Sequence, residues 1–368
     1  MSSVPRISPR GLVMLSLAGS ALALALLPAI NTVRSLETGR LSDPFAIDFA
    51  LPAVSTRLVE AGISILPERV VVGRSGWLFL GDYYGEAISA KRRPADEADR
   101  VAARARDASS RAWRTWLAAR GVQGWRVLVC ADKDSIYPEM LPAWYRPATG
   151  TAVDIAFQAS DPRLFIDTRP ALRHAREVDG PPLYLRTDSH WTSRGAWVAY
   201  RELADAWTDG PPGLAWLQPA DVRLQAADRR LGDLSALLSV GAPAGDTTAL
   251  ADIAGGRDVD RTRVDAETGS RSGIASWPDS RVPKVPVLIR SPHALNAKRL
   301  LWLRDSFGEM LLPYIAATFT EVIQVDRLGA TPQKWAALVE RYKPDLVLDS
   351  VVERDSRAWF PPPPASAQ

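Results

Sequence analysis

Alternating strand-like and helix-like segments in the C-terminal part of the chain constrain the fold more than any other feature. Short apolar runs typical of buried strands occupy residues 300–303, 322–325 and 346–351. Helix-like patterns fill the intervals between them, at residues 309–318 and 331–342. A strand that is followed by a helix and then by another strand normally pairs parallel to it. The sequence therefore predicts an α/β fold with a mostly parallel sheet.

The upstream part of the chain continues this order. Residues 95–119 combine many Ala, Arg, Asp and Glu residues with an apolar stripe, which predicts an amphipathic helix. Apolar strands are expected next, at residues 127–130 and 163–167, and two strands around a glycine turn at residues 70–81 predict a hairpin. With 368 residues, 46% of them hydrophobic, the chain is large enough to bury a sizeable core.

The first apolar segment is different in kind from the rest. Residues 11–30 contain no charged residue, are dominated by Leu and Ala, and follow Arg6 and Arg10. About 20 such residues suffice for a helix to cross a bilayer, and the positive-inside rule places Met1 in the cytoplasm. We expect an uncleaved inner-membrane anchor with the remaining chain outside; a cleaved signal peptide is the alternative.

The sequence predicts that the chain is divided into four parts. Residues 1–34 form the anchor or signal segment, 35–68 a linker, 69–356 one domain, and 357–368 a proline-rich tail. Within the domain, residues 209–298 scatter Gly and Pro among short polar runs. This composition predicts short strands and loops that form an irregular insertion, not a second globular domain.

Charge and cysteine content exclude several classes of protein. The formal net charge is only +3 and no long Lys/Arg run occurs, so a nucleic-acid partner is not expected. Cys130 is the only cysteine, which excludes an intrachain disulfide and a cysteine-based metal site. We interpret His174 as a surface or packing residue and His293 as a loop residue. No metal site is predicted, because the three histidines lie far apart in the sequence.

The most informative stretch for chemistry is residues 184–196, which sets Asp188 two residues before His190. A hydrogen-bonded aspartate can orient a histidine and stabilise its cation, which leaves the second ring nitrogen free to act as a base. Ser306 follows a predicted strand and precedes a predicted helix, a position from which its hydroxyl projects beyond the sheet edge. Asp188, His190 and Ser306 are therefore the candidate catalytic residues, about 3 Å apart at the carboxyl edge of the sheet.

Stabilisation of an oxyanion needs hydrogen-bond donors beside the nucleophile. Free backbone N–H groups at the start of the following helix, on Ser306 or Phe307, are the first candidates. The 132–142 loop is expected at the carboxyl end of a parallel strand, where ligands of such sheets bind. Five further side chains are candidates for substrate or oxyanion contacts: Lys133, Tyr137, Trp191, Arg304 and Phe307.

A set of short motifs in a shared order resembles the AlgJ/AlgX group of bacterial polysaccharide O-acetyltransferases. The resemblance spans roughly residues 68–356, and the order of the pieces makes it more specific than any one of them. The chain departs from the family at Arg304-Asp305, where small residues often precede the serine. The motifs are Val-Gly-Arg-Ser-Gly-Trp77-Leu-Phe-Leu, Asp132-Lys133-Asp-Ser-Ile-Tyr137-Pro138, Thr187-Asp188-Ser-His190-Trp191-Thr, Gly232-Asp233-Leu234, Arg304-Asp305-Ser306-Phe307 and Val352-Glu353-Arg354.

The resemblance implies an SGNH-hydrolase-like, three-layer α/β/α domain in which the Asp-x-His element precedes the nucleophile. It implies a periplasmic enzyme that transfers acetyl groups onto an exopolysaccharide, alginate or another, together with a membrane-bound O-acyltransferase partner. Asp188, His190 and Ser306 occupy the matching positions.

The expected function is therefore O-acetyl transfer through a serine acyl-enzyme, without a cofactor, from a donor supplied by a partner or a small molecule. A serine esterase or polysaccharide deacetylase with the same residues is one alternative, since water can replace the sugar as acceptor. A non-catalytic saccharide-binding assembly protein is the other, because a fold alone does not establish an activity.

Overall fold

The computed structural model describes residues 8–39, 41, 43–47, 50–207, 213–227, 232–240, 248–253, 260–265, 268–273, 282–357 and 361–364. An eight-stranded sheet forms the centre of the fold, with the strand order β4-β3-β12-β10-β11-β9-β7-β8. Its strands are β3 (Gly124–Cys130), β4 (Phe165–Asp167), β7 (Asp260–Asp265), β8 (Arg271–Gly273), β9 (Val287–Arg290), β10 (Asn296–Arg304), β11 (Phe319–Asp326) and β12 (Leu346–Val352).

Five neighbouring strands, from β4 to β11, are parallel, as the alternation of strands and helices predicts. The crossovers between them are helical. The described helices are α1 (Pro9–Thr38), α2 (Leu51–Glu60), α3 (Glu97–Ala118), α4 (Lys133–Ile136), α5 (Ala152–Gln158), α6 (Arg169–Glu177), α7 (Ser193–Ala206), α8 (Asp233–Leu237), α9 (Gly308–Thr318), α10 (Pro332–Tyr342) and α11 (Glu353–Ser356).

Strand β10 shows why the sheet is covered on both faces. Leu300 and Trp302 belong to one apolar cluster together with α7 and α9, whereas Leu301 and Leu303 belong to a second cluster together with α3 and α10. All four side chains are buried, since successive residues of a strand point to opposite faces. The result is the expected three-layer α/β/α arrangement with a mostly parallel sheet.

The region 209–298 contributes more to the sheet than its composition indicates. Strand β9 pairs antiparallel with β11, and β7 and β8 extend the same edge. A separate two-stranded ribbon is formed by β5 (Val222–Ala227) and β6 (Thr248–Ile253). The predicted boundaries of the domain, insertion and tail stay predictions, and parts of the insertion and of the tail lie outside the described residues.

Two elements predicted for the N-terminal part of the chain, a hairpin and a long apolar helix, correspond to elements of the structure. The predicted hairpin is present as β1 (Val70–Val72) paired antiparallel with β2 (Leu78–Leu80). Helix α1 includes a 25-residue stretch, Val13–Glu37, that is long and apolar enough to cross a membrane by length and composition. The same properties suit an anchor and a signal sequence.

Candidate active site

Ser306 lies on a tight turn between β10 and α9, at the carboxyl edge of the parallel strands. The side chain of Asp305 shapes this turn. One carboxylate oxygen accepts the backbone N–H of Phe307 at 2.9 Å, and the other accepts the N–H of Val352, at the end of neighbouring β12, at 2.7 Å. The unexpected Arg304-Asp305 pair thus includes the residue that ties the serine turn to the sheet.

Asp188 and His190 lie on a second turn that is closed at its base and capped at its end. An isolated bridge between Tyr184 and Trp191 closes the turn, and the hydroxyl of Thr192 accepts the N–H of Gly195 at the start of α7. Thr192 is therefore the helix cap, and the carboxylate of Asp188 points elsewhere.

A continuous chain of hydrogen bonds joins the two turns. Asp188 Oδ1 accepts the backbone N–H of His190 at 2.9 Å and lies 2.8 Å from its ring Nδ1. His190 Nε2 lies 2.8 Å from Ser306 Oγ. The expected proximity of the three residues, at about 3 Å and at the carboxyl edge of the sheet, is present.

Burial and nearby charges act in opposite directions on His190. Desolvation lowers its pKa, but the hydrogen bond to Asp188 and the charges of Asp188 and Asp233 outweigh it, so the pKa lies above its ordinary value. The imidazole is 5.0 Å from the ring of Phe307, and Trp191 Nε1 donates to the Phe307 carbonyl at 3.0 Å. These two aromatic residues, both buried, hold the histidine turn against the serine turn.

Asp233 is a site residue for which the sequence alone predicts no role. Its Oδ1 accepts the N–H of Ser189 at 2.7 Å, its Oδ2 accepts the Ser189 hydroxyl, and Oδ2 lies 3.5 Å from His190 Nδ1. The Asp233 N–H in turn points to Asp188 Oδ2 at 3.4 Å. The signal in the sequence is the Gly232-Asp233 pair at the start of the short helix α8.

Gly232 explains that signal. A Cβ built at this position would lie 2.0 Å from the backbone carbonyl oxygen of Thr187, an approach that no side chain allows. The close contact between Gly232 and Thr187 brings Asp233 beside the Asp188–His190 turn.

Asp188, His190 and Asp233 also form a group whose oxygen and nitrogen atoms lie within 4.8 Å of one another, as in a metal site. In this geometry His190 Nδ1 is engaged by Asp188, and Nε2 faces Ser306. Both ring nitrogens thus serve the hydrogen-bonded chain, so the group fits an Asp-His-Ser relay better than a metal site. The expectation that the reaction uses no metal stays a prediction.

Lys133 lies beneath the histidine turn and is buried. Its ammonium donates to the backbone carbonyls of Leu185, Arg186 and Asp188 at 3.0, 3.0 and 2.6 Å. An ammonium has three N–H donors, so these bonds use all of them. The structure therefore places Lys133 as a support of the turn, with no N–H left for an oxyanion.

The remaining candidates also have structural contacts. Tyr137 is buried against Trp77, and its hydroxyl accepts the N–H of Leu183, which places it behind the site instead of in it. Arg304 is buried, and its Nε donates to Gln324 at 2.7 Å. The 132–142 segment, expected as a loop, contains the one-turn helix α4.

One backbone donor remains for an oxyanion. The N–H of Phe307 is occupied by Asp305, whereas the N–H of Ser306 has no acceptor among the residues that the structure describes. Of the two backbone groups predicted from the sequence, only the N–H of Ser306 is thus available.

Replacing Lys133 with methionine is expected to destabilise the protein by about 2 kcal/mol or more, because buried carbonyls lose their donors. Chemical denaturation of the full-length protein measures this free energy of unfolding. Lys334→Met, at an exposed lysine of α10, is the matched control and should stay within about 0.5 kcal/mol of the wild type. Equal stabilities for the two variants would show that the Lys133 bonds do not support the turn.

A mostly parallel α/β sheet that carries linked Asp, His and Ser side chains at its carboxyl edge is an arrangement found in serine-dependent acyl-transfer enzymes. A sequence profile of the SGNH hydrolase-like domain of acetyltransferase AlgX matches residues 70–270. The chain belongs to this family of acetyltransferase domains. The matched region contains Asp188, His190 and Asp233 but ends before Ser306, so the assignment of the serine depends on the geometry.

Two of three similar solved structures, those with TM-scores above 0.5, support this fold at low sequence identity. Bacillus cereus PatB1, determined with a sulfonyl adduct, is 12% identical, has a TM-score of 0.58, and the match covers 79% of this chain and 100% of that chain. A DHHW family protein from Eubacterium siraeum is 15% identical, with a TM-score of 0.51 over 79% and 95% of the two chains. The O-acetyltransferase domain of Pseudomonas putida AlgJ is 19% identical, with a TM-score of 0.46 over 80% and 94%. No curated protein sequence matches the chain.

Proposed function

We propose that this protein is a periplasmic O-acetyltransferase that moves an acetyl group through Ser306 onto hydroxyls of an exopolysaccharide. The observation that carries the proposal is the unbroken chain from Asp188 through His190 to Ser306, with 2.8 Å at each side-chain contact. Membership in an acetyltransferase family supports transfer to a sugar over hydrolysis.

In the first step, His190 Nε2 removes the proton of Ser306 Oγ as that oxygen attacks the carbonyl carbon of an acetyl donor. The negative charge that develops on the carbonyl oxygen is stabilised by the N–H of Ser306. The intermediate collapses to acetyl-Ser306, and the leaving group takes the proton from His190. Asp188 accepts a hydrogen bond from the Nδ1–H of His190 throughout, which holds the tautomer that exposes Nε2 as a base.

In the second step, a sugar hydroxyl occupies the position of the leaving group. His190 removes its proton, the hydroxyl oxygen attacks the acetyl carbonyl, and the ester bond to Ser306 breaks. The proton returns from His190 to Ser306 Oγ, which restores the starting state. The protein therefore needs no cofactor, and a membrane-bound O-acyltransferase partner is proposed to supply the acetyl donor.

Helix α1 supports the proposed location. Its Val13–Glu37 stretch would anchor the protein in the inner membrane, with the α/β domain on the periplasmic side, close to a membrane-bound partner. An uncleaved helix is proposed, and the mass of the mature protein from cells distinguishes it from a cleaved signal sequence.

Full-length protein in detergent, given p-nitrophenyl acetate with and without an oligosaccharide, tests the proposed function. Acetylated oligosaccharide that disappears with Ser306→Ala supports the transferase. Acetate release that no acceptor changes would favour the esterase alternative. If acetyl-Ser306 does not form, or if Ser306 does not react with a phenylmethanesulfonyl probe, the result would favour the non-catalytic saccharide-binding alternative.

Asp233→Asn is expected to shift the acidic limb of the pH–rate profile to lower pH. His190 must be neutral to accept a proton, and the Asp233 charge contributes to its raised pKa. Without that charge the pKa falls, so the neutral base is present at lower pH, while an amide oxygen can still accept from Ser189. The profile of acetyl transfer is compared with Asp252→Asn, a variant of the β5–β6 ribbon. A limb that does not move, or moves to higher pH, contradicts this role.

A further inference from the structure

A cavity of about 390 Å³ lies at the same edge of the sheet as Ser306 and contains none of the three proposed catalytic residues. Residues that follow three parallel strands line it: Asp134 after β3, Arg169 after β4 and Glu353 after β12. Its volume is within the roughly 300–1,000 Å³ that ligand sites occupy. Carboxyl ends of parallel strands are where ligands of such sheets bind.

The charged groups at the base of the cavity neutralise one another. Lys91 Nζ lies 2.7 Å from Asp134 and 3.7 Å from Glu353, and Arg169 lies 2.9 Å from Asp154. Three cations, Lys91, Arg169 and Arg173, line the cavity together with four carboxylates, Asp134, Asp154, Asp167 and Glu353, so there is no excess of positive charge to attract a phosphate. The base is therefore polar but close to neutral.

Two donors line the cavity without a partner in the described part of the chain. Tyr145 is 6% exposed, and its hydroxyl makes no hydrogen bond to any described residue. Arg173 uses Nε for the Ser135 carbonyl at 3.0 Å, which leaves its terminal amino groups without an acceptor. The Tyr145 hydroxyl is not among the fully buried polar atoms, and Arg173 is exposed, so both donors are open to water or to a ligand. Pro147 and Pro170 provide apolar walls beside these donors.

We propose that this cavity is an acceptor subsite that binds sugar units of the polysaccharide chain, through Tyr145 and Arg173, while another unit reaches Ser306. Hydroxyl groups of a sugar fit the open donors, and its C–H faces fit the proline walls. The inference rests on the proposed function and adds to it how the acceptor is held.

The positions of the strands determine the length of the acceptor. Strand β12 lies next to β10, and β3 and β4 follow it. Neighbouring strands are about 4.8 Å apart, so about 14 Å separates β10, which ends two residues before Ser306, from β4 at the far side of the cavity. A single sugar cannot occupy both places, whereas an oligosaccharide of several units can. The subsite should therefore favour long acceptors over short ones.

Binding is measured first, with full-length Ser306→Ala protein so that no turnover occurs. A dimer, a tetramer and a hexamer are titrated from two series, cello-oligosaccharides and mannuronate oligosaccharides, which separate neutral from acidic sugars. A second substitution in the Ser306→Ala protein, Tyr145→Phe, should weaken binding of the hexamer about five-fold, which is the effect of roughly one hydrogen bond. Tyr342→Phe removes a hydroxyl at the end of α10, on the opposite edge of the sheet, and should change nothing.

Turnover then separates this inference from the proposed function. With Ser306 intact, Tyr145→Phe and Arg173→Ala should raise the KM for the hexamer and leave its kcat close to the wild-type value. If the wild type transfers acetyl groups but the variants bind and use both series equally well, the subsite is wrong and the proposed function stands. If Tyr145-dependent binding is found but no acetyl-Ser306 forms, the proposed function is wrong, and the cavity is a saccharide site of a binding protein.

Discussion

Ser306→Ala is expected to lower kcat for acetyl transfer by about 10⁴- to 10⁶-fold, because the proposed mechanism carries the acetyl group on Ser306 Oγ. The rate is measured as acetylated oligosaccharide formed from p-nitrophenyl acetate, and acetyl-Ser306 is sought by mass spectrometry after short reaction times. The fold should not change, since alanine retains the turn that Asp305 holds.

Ser193→Ala is the matched control for this variant. Ser193 is a buried serine at the start of α7, where its hydroxyl donates to the sulfur of Met310 at 3.6 Å. Its removal should leave transfer within about two-fold of the wild type. Ser189 is the rival nucleophile, because its hydroxyl lies 3.3 Å from His190 Nδ1. An acetyl group found on Ser189 instead of Ser306 would overturn the mechanism.

Asp188→Asn is expected to lower kcat by about 10⁴-fold. The amide has almost the same shape as the carboxylate, but it can donate to His190 Nδ1 and so favour the tautomer whose Nε2 carries the proton. That histidine cannot accept a proton from Ser306. The loss should appear in kcat for acetyl transfer, while the free energy of unfolding changes by much less than for Lys133→Met.

The pH dependence adds a second test of Asp188. Its hydrogen bond and charge are the two largest contributions that raise the pKa of His190. The residual activity of Asp188→Asn should therefore rise with pH through a lower midpoint than in the wild type. This midpoint should also be lower than that of Asp233→Asn. A variant that keeps nearly full activity would show that Asp188 does not position the base.

Local patterns were sufficient for most of the parallel half of the fold. Strands β10, β11 and β12 and helices α9 and α10 lie where apolar periodicity predicts them, because each is set by side chains three or four residues apart or alternating along a strand. The sequence predicts short strands in residues 209–298 but not that β9, β7 and β8 extend the main sheet, since the pairing of β9 with β11 is a long-range contact that turn-rich local sequence does not report.

The sequence by itself determined that Asp188 and His190 share one turn, that a serine follows a buried strand, and that an apolar N-terminal segment precedes the domain. These are properties of neighbouring residues. Only the tertiary structure decided that Lys133 supports the Asp188 carbonyl and that Asp233 lies beside His190. Each of these contacts joins residues more than 40 positions apart, and their distance depends on how the strands and turns pack.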